Sequence, residues 1–290
     1  GSADEADNLR QLVGRLGEVT IRETNAPEEA IRFAAEAVAD SYELIVAAGG
    51  DGTINEVVNG LSDDWGRAKL GILPLGTGND FARTIGMPTD IEGAVEILLR
   101  GETCASDVVC VESDKTRYFV NVSAGGFSGL VDERVTDELK AAWGPLAYLR
   151  AATAALPDLE DYHTTIQFDD EEPQNLAVYN VVIANARYVA GGIPIAPDAL
   201  LDDGLVDVLV VPAASMPRLA TLVPLILLGQ HLNHPDLMFR RARSVAIDSR
   251  PGMWFNTDGE LVGNEPAKFT VLPQALQVIV GPDFDARTKT

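Results

Sequence analysis

The chain has 290 residues, 46% of them hydrophobic, enough for one large domain or two ordinary ones with a real core. Its formal net charge is −22, from 44 acidic residues against 22 Lys and Arg. That balance disfavours nucleic acid as a partner, and any strong general attraction to anionic membrane, because both need a basic face.

In chain order, Leu9, Leu12, Val13 and Leu16 carry helical spacing, and Val19–Ile21 reads as a short strand. Pro27 sits where a helix begins, continued by Ala30, Ile31, Ala34, Ala37 and Val38. The run Leu44–Ala48 then reads as a strand, Gly49-Gly50-Asp51-Gly52-Thr53 as a turn, and 54–61 as a helix. Leu70–Leu73 is a further strand, ending at Pro74 and the turn Gly76-Thr77-Gly78-Asn79, with helices near 80–85 and 91–100. Strands alternating with helices predict an α/β domain over 1–103 with a parallel, doubly wound sheet. Such sheets bind ligands at the carboxyl ends of their strands, so both glycine turns can line one crevice.

From about residue 104 the pattern changes to short β-runs: Val108–Val111, Tyr118–Val122, Thr164–Phe168, Leu176–Ala184, Leu205–Val211, Ser244–Ile247, Lys268–Val271 and Leu276–Val280. Residues 104–290 are therefore expected to form a mostly antiparallel β-sandwich or barrel, with helical insertions near 132–156 and 215–232. Cys104 and Cys110 read as reduced strand residues. The most apolar stretch, Leu222–Leu228, contains Pro224 and is far short of the roughly 20 residues that a membrane span needs. No signal peptide is evident, and the expectation is a soluble, cytoplasmic chain.

The chemistry concentrates in the glycine turns. Glycine lets the backbone approach a ligand and take φ > 0. The helix that starts near Thr53 offers unpaired N–H groups and a positive dipole end, so strand, glycine turn and helix together make a seat for phosphate. Asp51 stands out there, because a carboxylate at such a seat repels phosphate unless a cation or a reacting proton lies between them. In the second turn Gly76 and Gly78 free the backbone, Thr77 supplies a hydroxyl, and Asp80 suits either capping of the next helix or a functional role. Elsewhere, Asp258-Gly259-Glu260 reads unaided as a β-turn and the segment 200–205 as an acidic turn before a strand, while His231 and His234, three apart, make a conceivable metal pair with no third ligand evident.

The series GGDGT-x-NEVVNGL (49–61) and LPLGTGNDFAR (73–83) resembles the soluble bacterial diacylglycerol kinase-like lipid kinases, which are related to sphingosine and ceramide kinases. The resemblance runs on through NVSAGG (121–126), the lysine-bearing segment 139–148, LLDDGL (200–205), GQHLNHP (229–235) and TDGE (257–260), and so spans nearly the whole chain. It implies a nucleotide domain resembling that of phosphofructokinase and NAD kinase, followed by a β-sandwich domain. It implies transfer of the γ-phosphate of ATP to a hydroxyl of a diacylglycerol-like lipid, with Mg²⁺, at the crevice between domains. By the same resemblance Gly49, Gly50, Asp51, Gly52, Thr53, Ile54, Asn55, Glu56, Gly76, Thr77 and Thr24 contact ATP. Asp51 and Asp80 belong to the catalytic and metal network, with Asp107 similarly placed at the domain junction. Glu260 is the proton acceptor, with Asp258 as its rival, and Lys140 contacts phosphate. The Leu200 and Leu205 carbonyls with Asp203 hold a structural Mg²⁺, and His231 and His234 are structural, packing or capping near Pro235.

The family also begins with a strand and a phosphate-gripping turn that this sequence does not show, so an N-terminal piece is expected to be missing. Expected partners are a lipid with a free hydroxyl and, transiently, a membrane surface; a homodimer is left open. Two other readings stand beside this one: a small-molecule kinase like NAD kinase, which shares GGDGT, and a nucleotide- or lipid-binding regulator without catalysis.

Overall fold

The computed structural model describes residues 10–126, 161–214, 216–264 and 266–284. The first described residues are helical and end in a 3-10 turn at Gly14–Leu16. Val19–Ile21, expected as a strand, is not one: the segment pairs with nothing as a strand, and Val19 and Ile21 are 41% and 50% exposed. A three-residue apolar run without a neighbouring strand has no ladder to join.

The first domain then follows the expected alternation. Helix α1 (Glu29–Ala39) leads to β1 (Leu44–Gly49), α2 (Asp51–Gly60), β2 (Lys69–Pro74), α3 (Asp80–Thr84) and α4 (Ile91–Arg100). Strands β1 and β2 pair in parallel from Leu44↔Lys69 to Gly49↔Pro74. Leu70, Ile72 and Leu73 are fully buried, as expected of a parallel strand covered on both faces. Helix α4 is bounded by its own chemistry: the Asp90 carboxylate accepts the Gly93 N–H at its start, and Gly101 takes the left-handed conformation at its end.

The second domain runs through β3 (Thr103–Glu112), β4 (Thr116–Phe119), β5 (Val122–Gly126), β6 (Tyr162–Phe168), β7 (Gln174–Ala184), β8 (Val206–Pro212), α5 (Met216–Leu227), β9 (Met238–Ala242), β10 (Ser244–Arg250), β11 (Phe255–Thr257), β12 (Glu260–Gly263) and β13 (Ala267–Ile279). Nearly all its pairings are antiparallel, in the order β13-β10-β6-β7-β5-β11-β12, with β3 and β4 branching from β13 and β8 and β9 from β7. The inner faces meet in one apolar core in which Phe255 and Phe119 each set an edge against Phe269, at 5.1 and 6.3 Å between ring centroids. The predicted insertion near 132–156 lies outside the described residues.

Two departures from the sequence reading place the functional residues. First, Lys268–Val271 and Leu276–Val280, read as two strands, belong largely to the single strand β13, which pairs along β3 with a register shift between Leu272 and Leu276. Its far end joins β2 in parallel at Val278↔Leu70, so Leu276, Val278 and Ile279 complete the core of the first domain. The expected division after residue 103 thus falls at the start of β3, while the chain returns to the first domain at the end of β13. Second, Tyr118–Val122, read as one strand, breaks between β4 and β5, and the N–H groups of Val120, Asn121 and Val122 turn toward a side chain from β11–β12.

Candidate active site

Helix α2 starts at Asp51 with Gly50 as N-cap and no side-chain cap, and Ile54 is the first residue to bond back, to the Gly50 carbonyl at 3.1 Å. The N–H groups of residues 51–53 are thus the open donors of the first turn, at the positive end of the helix dipole. A methyl built on Gly52 would meet nothing within 4 Å, so this glycine leaves open space at the helix start. The two glycine turns touch: a Cβ on Gly76 would lie 2.3 Å from Gly50 Cα. Asn79, itself at φ 51°, clips the second turn by accepting the Gly76 N–H at 3.0 Å and donating to the Gly76 carbonyl at 2.8 Å. Thr77 is left exposed at its tip.

Asp51 does not point back at the seat. Its carboxylate crosses to α3 and accepts the N–H groups of Asp80 and Phe81, at 3.1 and 3.0 Å. Capping of α3 therefore comes from Asp51, 29 residues upstream, and not from Asp80, which is the first helical residue after Asn79. Asp80 is freed to turn to the second domain, where one oxygen accepts the Gly191 N–H at 2.9 Å and the other, Oδ1, is buried without a partner. Burial, reinforced by the Asp51 charge, raises the Asp80 pKa against the pull of the Gly191 N–H.

The hairpin β11–β12 turns through Asp258 and Gly259, at φ 48° and 96°, as the Asp-Gly pair favours. Asp258 closes the crevice. Its carboxylate accepts from Val122 N–H at 2.8 Å, Val120 and Asn121 N–H at 3.3 Å each, and the α2 side chain Asn55 Nδ2 at 3.4 Å. Burial pushes its pKa up to about 7 against those donors. Asn55 and Asn59, one turn apart on α2, also bind the Tyr118 carbonyl at 3.1 and 2.8 Å, and Asn59 accepts the Tyr118 N–H at 3.0 Å. Two amides on α2 thus act as a strand edge for β4. Glu260, at the start of β12, is half-buried, with the Arg117 Nε 3.7 Å from its carboxylate.

Several expected ATP contacts are otherwise engaged. Both Glu56 oxygens accept N–H groups at the start of α1, from Glu28 at 3.1 Å and Ala30 at 3.0 Å. Ile54 is a fully buried core residue, Asn55 is the buried bridge just described, and Thr24 lies exposed in the irregular segment before α1. Lys140 lies outside the described residues. Arg117, Asn59, Asn79 and Gly191 were not read from the sequence. Asn55 and Asn59 had a signal, being two amides i, i+4 on an apolar helix face; the others had none.

The loop 200–205 is organised by cations and N–H groups of the chain itself. Asp107 accepts the N–H groups of Gly204 and Gln274, each at 2.7 Å, the latter from the irregular stretch of β13. Burial raises its pKa to about 6. The Asp203 carboxylate accepts its own Leu205 N–H at 3.0 Å and pairs with Arg241, whose Nε also bonds Asp207 at 3.0 Å. Burial raises Asp207 to about 6, with Arg241 opposing. A structural magnesium fits this set poorly, because the Asp203 carboxylate already faces a guanidinium. Among the described residues no three His, Cys, Asp or Glu side chains are placed to hold a metal. Asp80 fits a cation better, since its buried Oδ1 lacks any partner. His231 is buried, its Nε2 2.8 Å from the Ile195 carbonyl, which bears out a packing role.

A glycine-lined seat at a strand–helix junction, closed by a carboxylate hairpin from a β-sandwich domain, defines a two-domain kinase of the NAD kinase-like fold class. The diacylglycerol kinase catalytic domain matches residues 1–111, and the YegS C-terminal NAD kinase beta sandwich-like domain matches residues 121–280. Diacylglycerol kinases of Staphylococcus epidermidis and Staphylococcus saprophyticus are 36% and 35% identical to the chain, over 87% and 88% of it and 78% and 83% of their own length. A Bacillus anthracis structure provisionally assigned as a diacylglycerol kinase superposes with a TM-score of 0.82 at 25% identity, over 98% of this chain and 93% of that one. An Archaeoglobus fulgidus NAD kinase solved with ATP shares the fold at a TM-score of 0.54 and 12% identity, over 98% and 92% of the chains. The chain belongs to the diacylglycerol kinase family and is a kinase.

Proposed function

We propose that the protein transfers the γ-phosphoryl group of ATP to the free hydroxyl of a diacylglycerol-class lipid. The observation that carries this is the joining of the phosphate seat on α2 to the Asp258–Glu260 hairpin through Asn55 and Asp258. Donor and acceptor chemistry sit on different domains and are held in one crevice, as in-line transfer requires. The open N–H groups of 51–53 and the Thr77 hydroxyl take phosphate oxygens. Asp80 Oδ1 takes the magnesium that enters with the nucleotide, which supplies charge neutralisation at the phosphates. Asp51 holds α3, and so Asp80, in place.

The Asp258 oxygens are filled by four N–H donors, which leaves Glu260 as the carboxylate that accepts the lipid hydroxyl proton. The acyl chains stay at a bilayer surface while the headgroup enters the crevice, and the need for ATP places the reaction on the cytoplasmic side.

Labelled ATP offered with diacylglycerol in mixed micelles, and separately with NAD, tests the assignment. Phosphatidate is the expected product. Labelled NADP with no labelled lipid would overturn it, and ATP binding without product on either acceptor would favour a regulator.

A further inference from the structure

We infer that Arg117 is a positioning residue for Glu260: its guanidinium, tethered to Glu28 of the first domain, holds the Glu260 carboxylate at the seam between the domains without capping it. The inference rests on Glu260 as proton acceptor. Arg117 lies on β4, between the two domains. Its Nη2 pairs with the Glu28 carboxylate at 2.9 Å, and its Nη1 donates to the Thr116 carbonyl at 3.3 Å. The third nitrogen, Nε, is buried without a hydrogen-bond partner and stands 3.7 Å from Glu260 Oε2.

That distance decides the role. It is too long for a hydrogen bond, since a side-chain contact of about 3.6 Å is already not one. It is still within the range of about 4 Å at which opposite charges pair, so the guanidinium holds the carboxylate in place and leaves its lone pairs open. A general base needs both conditions at once: it must be ionised, and its lone pairs must be free to receive a proton. A full bidentate pair would satisfy the first condition and defeat the second. Glu28 supplies the restraint, because it holds the far side of the guanidinium. Its own N–H is bonded by Glu56 of α2, the helix of the glycine turn. The chain Glu56–Glu28–Arg117–Glu260 therefore ties the base to α2 through three contacts. The other charges around the hairpin are Asp258 on the same turn and Asp51 at the start of α2, whose charge reaches Asp258. Arg117 is the cation that the described contacts set against them.

The test is phosphorylation of diacylglycerol by the full chain at saturating ATP·Mg²⁺, with kcat and KM read separately. Arg117→Met is expected to lower kcat about tenfold, while KM for ATP stays within about twofold because the phosphate seat is untouched. Arg117→Lys, which keeps a cation beside the carboxylate, is expected to recover most of kcat. A wild-type kcat in Arg117→Met, or a Lys variant as slow as the Met variant, would overturn the inference. If the Met variant melts below the assay temperature, Arg117→Gln takes its place under the same criteria. Glu260→Gln separates the two readings: near-normal turnover in that variant sinks Glu260 as the base, whereas its loss with an unchanged kcat in Arg117→Met sinks the positioning role alone.

Discussion

Two glycines in the adjoining turns make opposite predictions, and the difference tests whether the seat takes phosphate. Gly52 lies in the first turn of α2 with ordinary backbone angles, and a methyl there meets nothing within 4 Å. Gly52→Ala should therefore stabilise the fold by about 0.4–1 kcal/mol through the unfolded chain, raising the melting temperature by about 1–4 °C. The same methyl occupies the space through which phosphate oxygens approach the N–H groups of 51–53. KM for ATP should rise at least about tenfold, the equivalent of about 1.4 kcal/mol of lost binding. Gly76→Ala acts differently, because its methyl would sit 2.3 Å from Gly50 Cα and 2.9 Å from Asn79 Oδ1. Ordinary contact starts at 3.4 Å, so the turns must separate by about 1 Å. Overpacking of that size costs about 1–3 kcal/mol, and the displacement costs about a hundredfold in rate. The assays are thermal melting with and without ATP·Mg²⁺, and lipid phosphorylation against ATP concentration. A Gly52→Ala protein that is stable and binds ATP as tightly as wild type would refute the reasoning, since nothing else fills that space.

Other consequences follow from particular contacts. Asp51→Ala strips the cap from α3 and leaves two N–H groups unpaired, so it should lower stability by about 2–4 kcal/mol, seen as a melting temperature lower by about 5–15 °C, as well as abolishing transfer; an unshifted melt would remove the capping role. Arg241→Met leaves Asp203 and the buried Asp207 unpaired and should cost about 3–5 kcal/mol by denaturant titration. Because Arg241 is the cation at that loop, chelation by EDTA should leave the melting temperature of the nucleotide-free protein within about 1 °C, and a drop of several degrees would return a magnesium to residues 200–205. Asp107 and Asp207, raised to about 6, and Asp258, raised to about 7, hold protons in the folded state where the unfolded chain has lost them. Their contribution is full below about pH 4, the ordinary aspartate value, and is lost as pH rises through about 6 and then about 7. Stability measured by urea titration should fall across that window, and Asp258→Asn should flatten its upper part.

The two-domain plan and the glycine turn between β1 and α2 were legible because they are written locally. The run Leu44–Ala48, the glycines at 49, 50 and 52 and the helical spacing after them specify strand, turn and helix without help from distant residues. The Asp258-Gly259 turn is equally local, its left-handed backbone suited to those two residue types. The alternating β-runs after residue 104 separated the domains by the same logic.

What each carboxylate binds was decided only in three dimensions. Asp51, Glu56, Asp80, Asp203 and Asp258 look alike as acidic residues in turns or helix starts. In the fold, Asp51 caps α3, Glu56 caps α1, Asp203 meets Arg241, and Asp258 gathers three N–H groups from the break between β4 and β5. Of these five, Asp80 keeps a buried oxygen without a partner, and Glu260, on the neighbouring hairpin, stands beside a cation that does not close on it. A carboxylate's role is set by the donors that reach it. Here those donors lie 26 to 203 residues away, brought close by the packing of α2 on β4 and of one domain on the other.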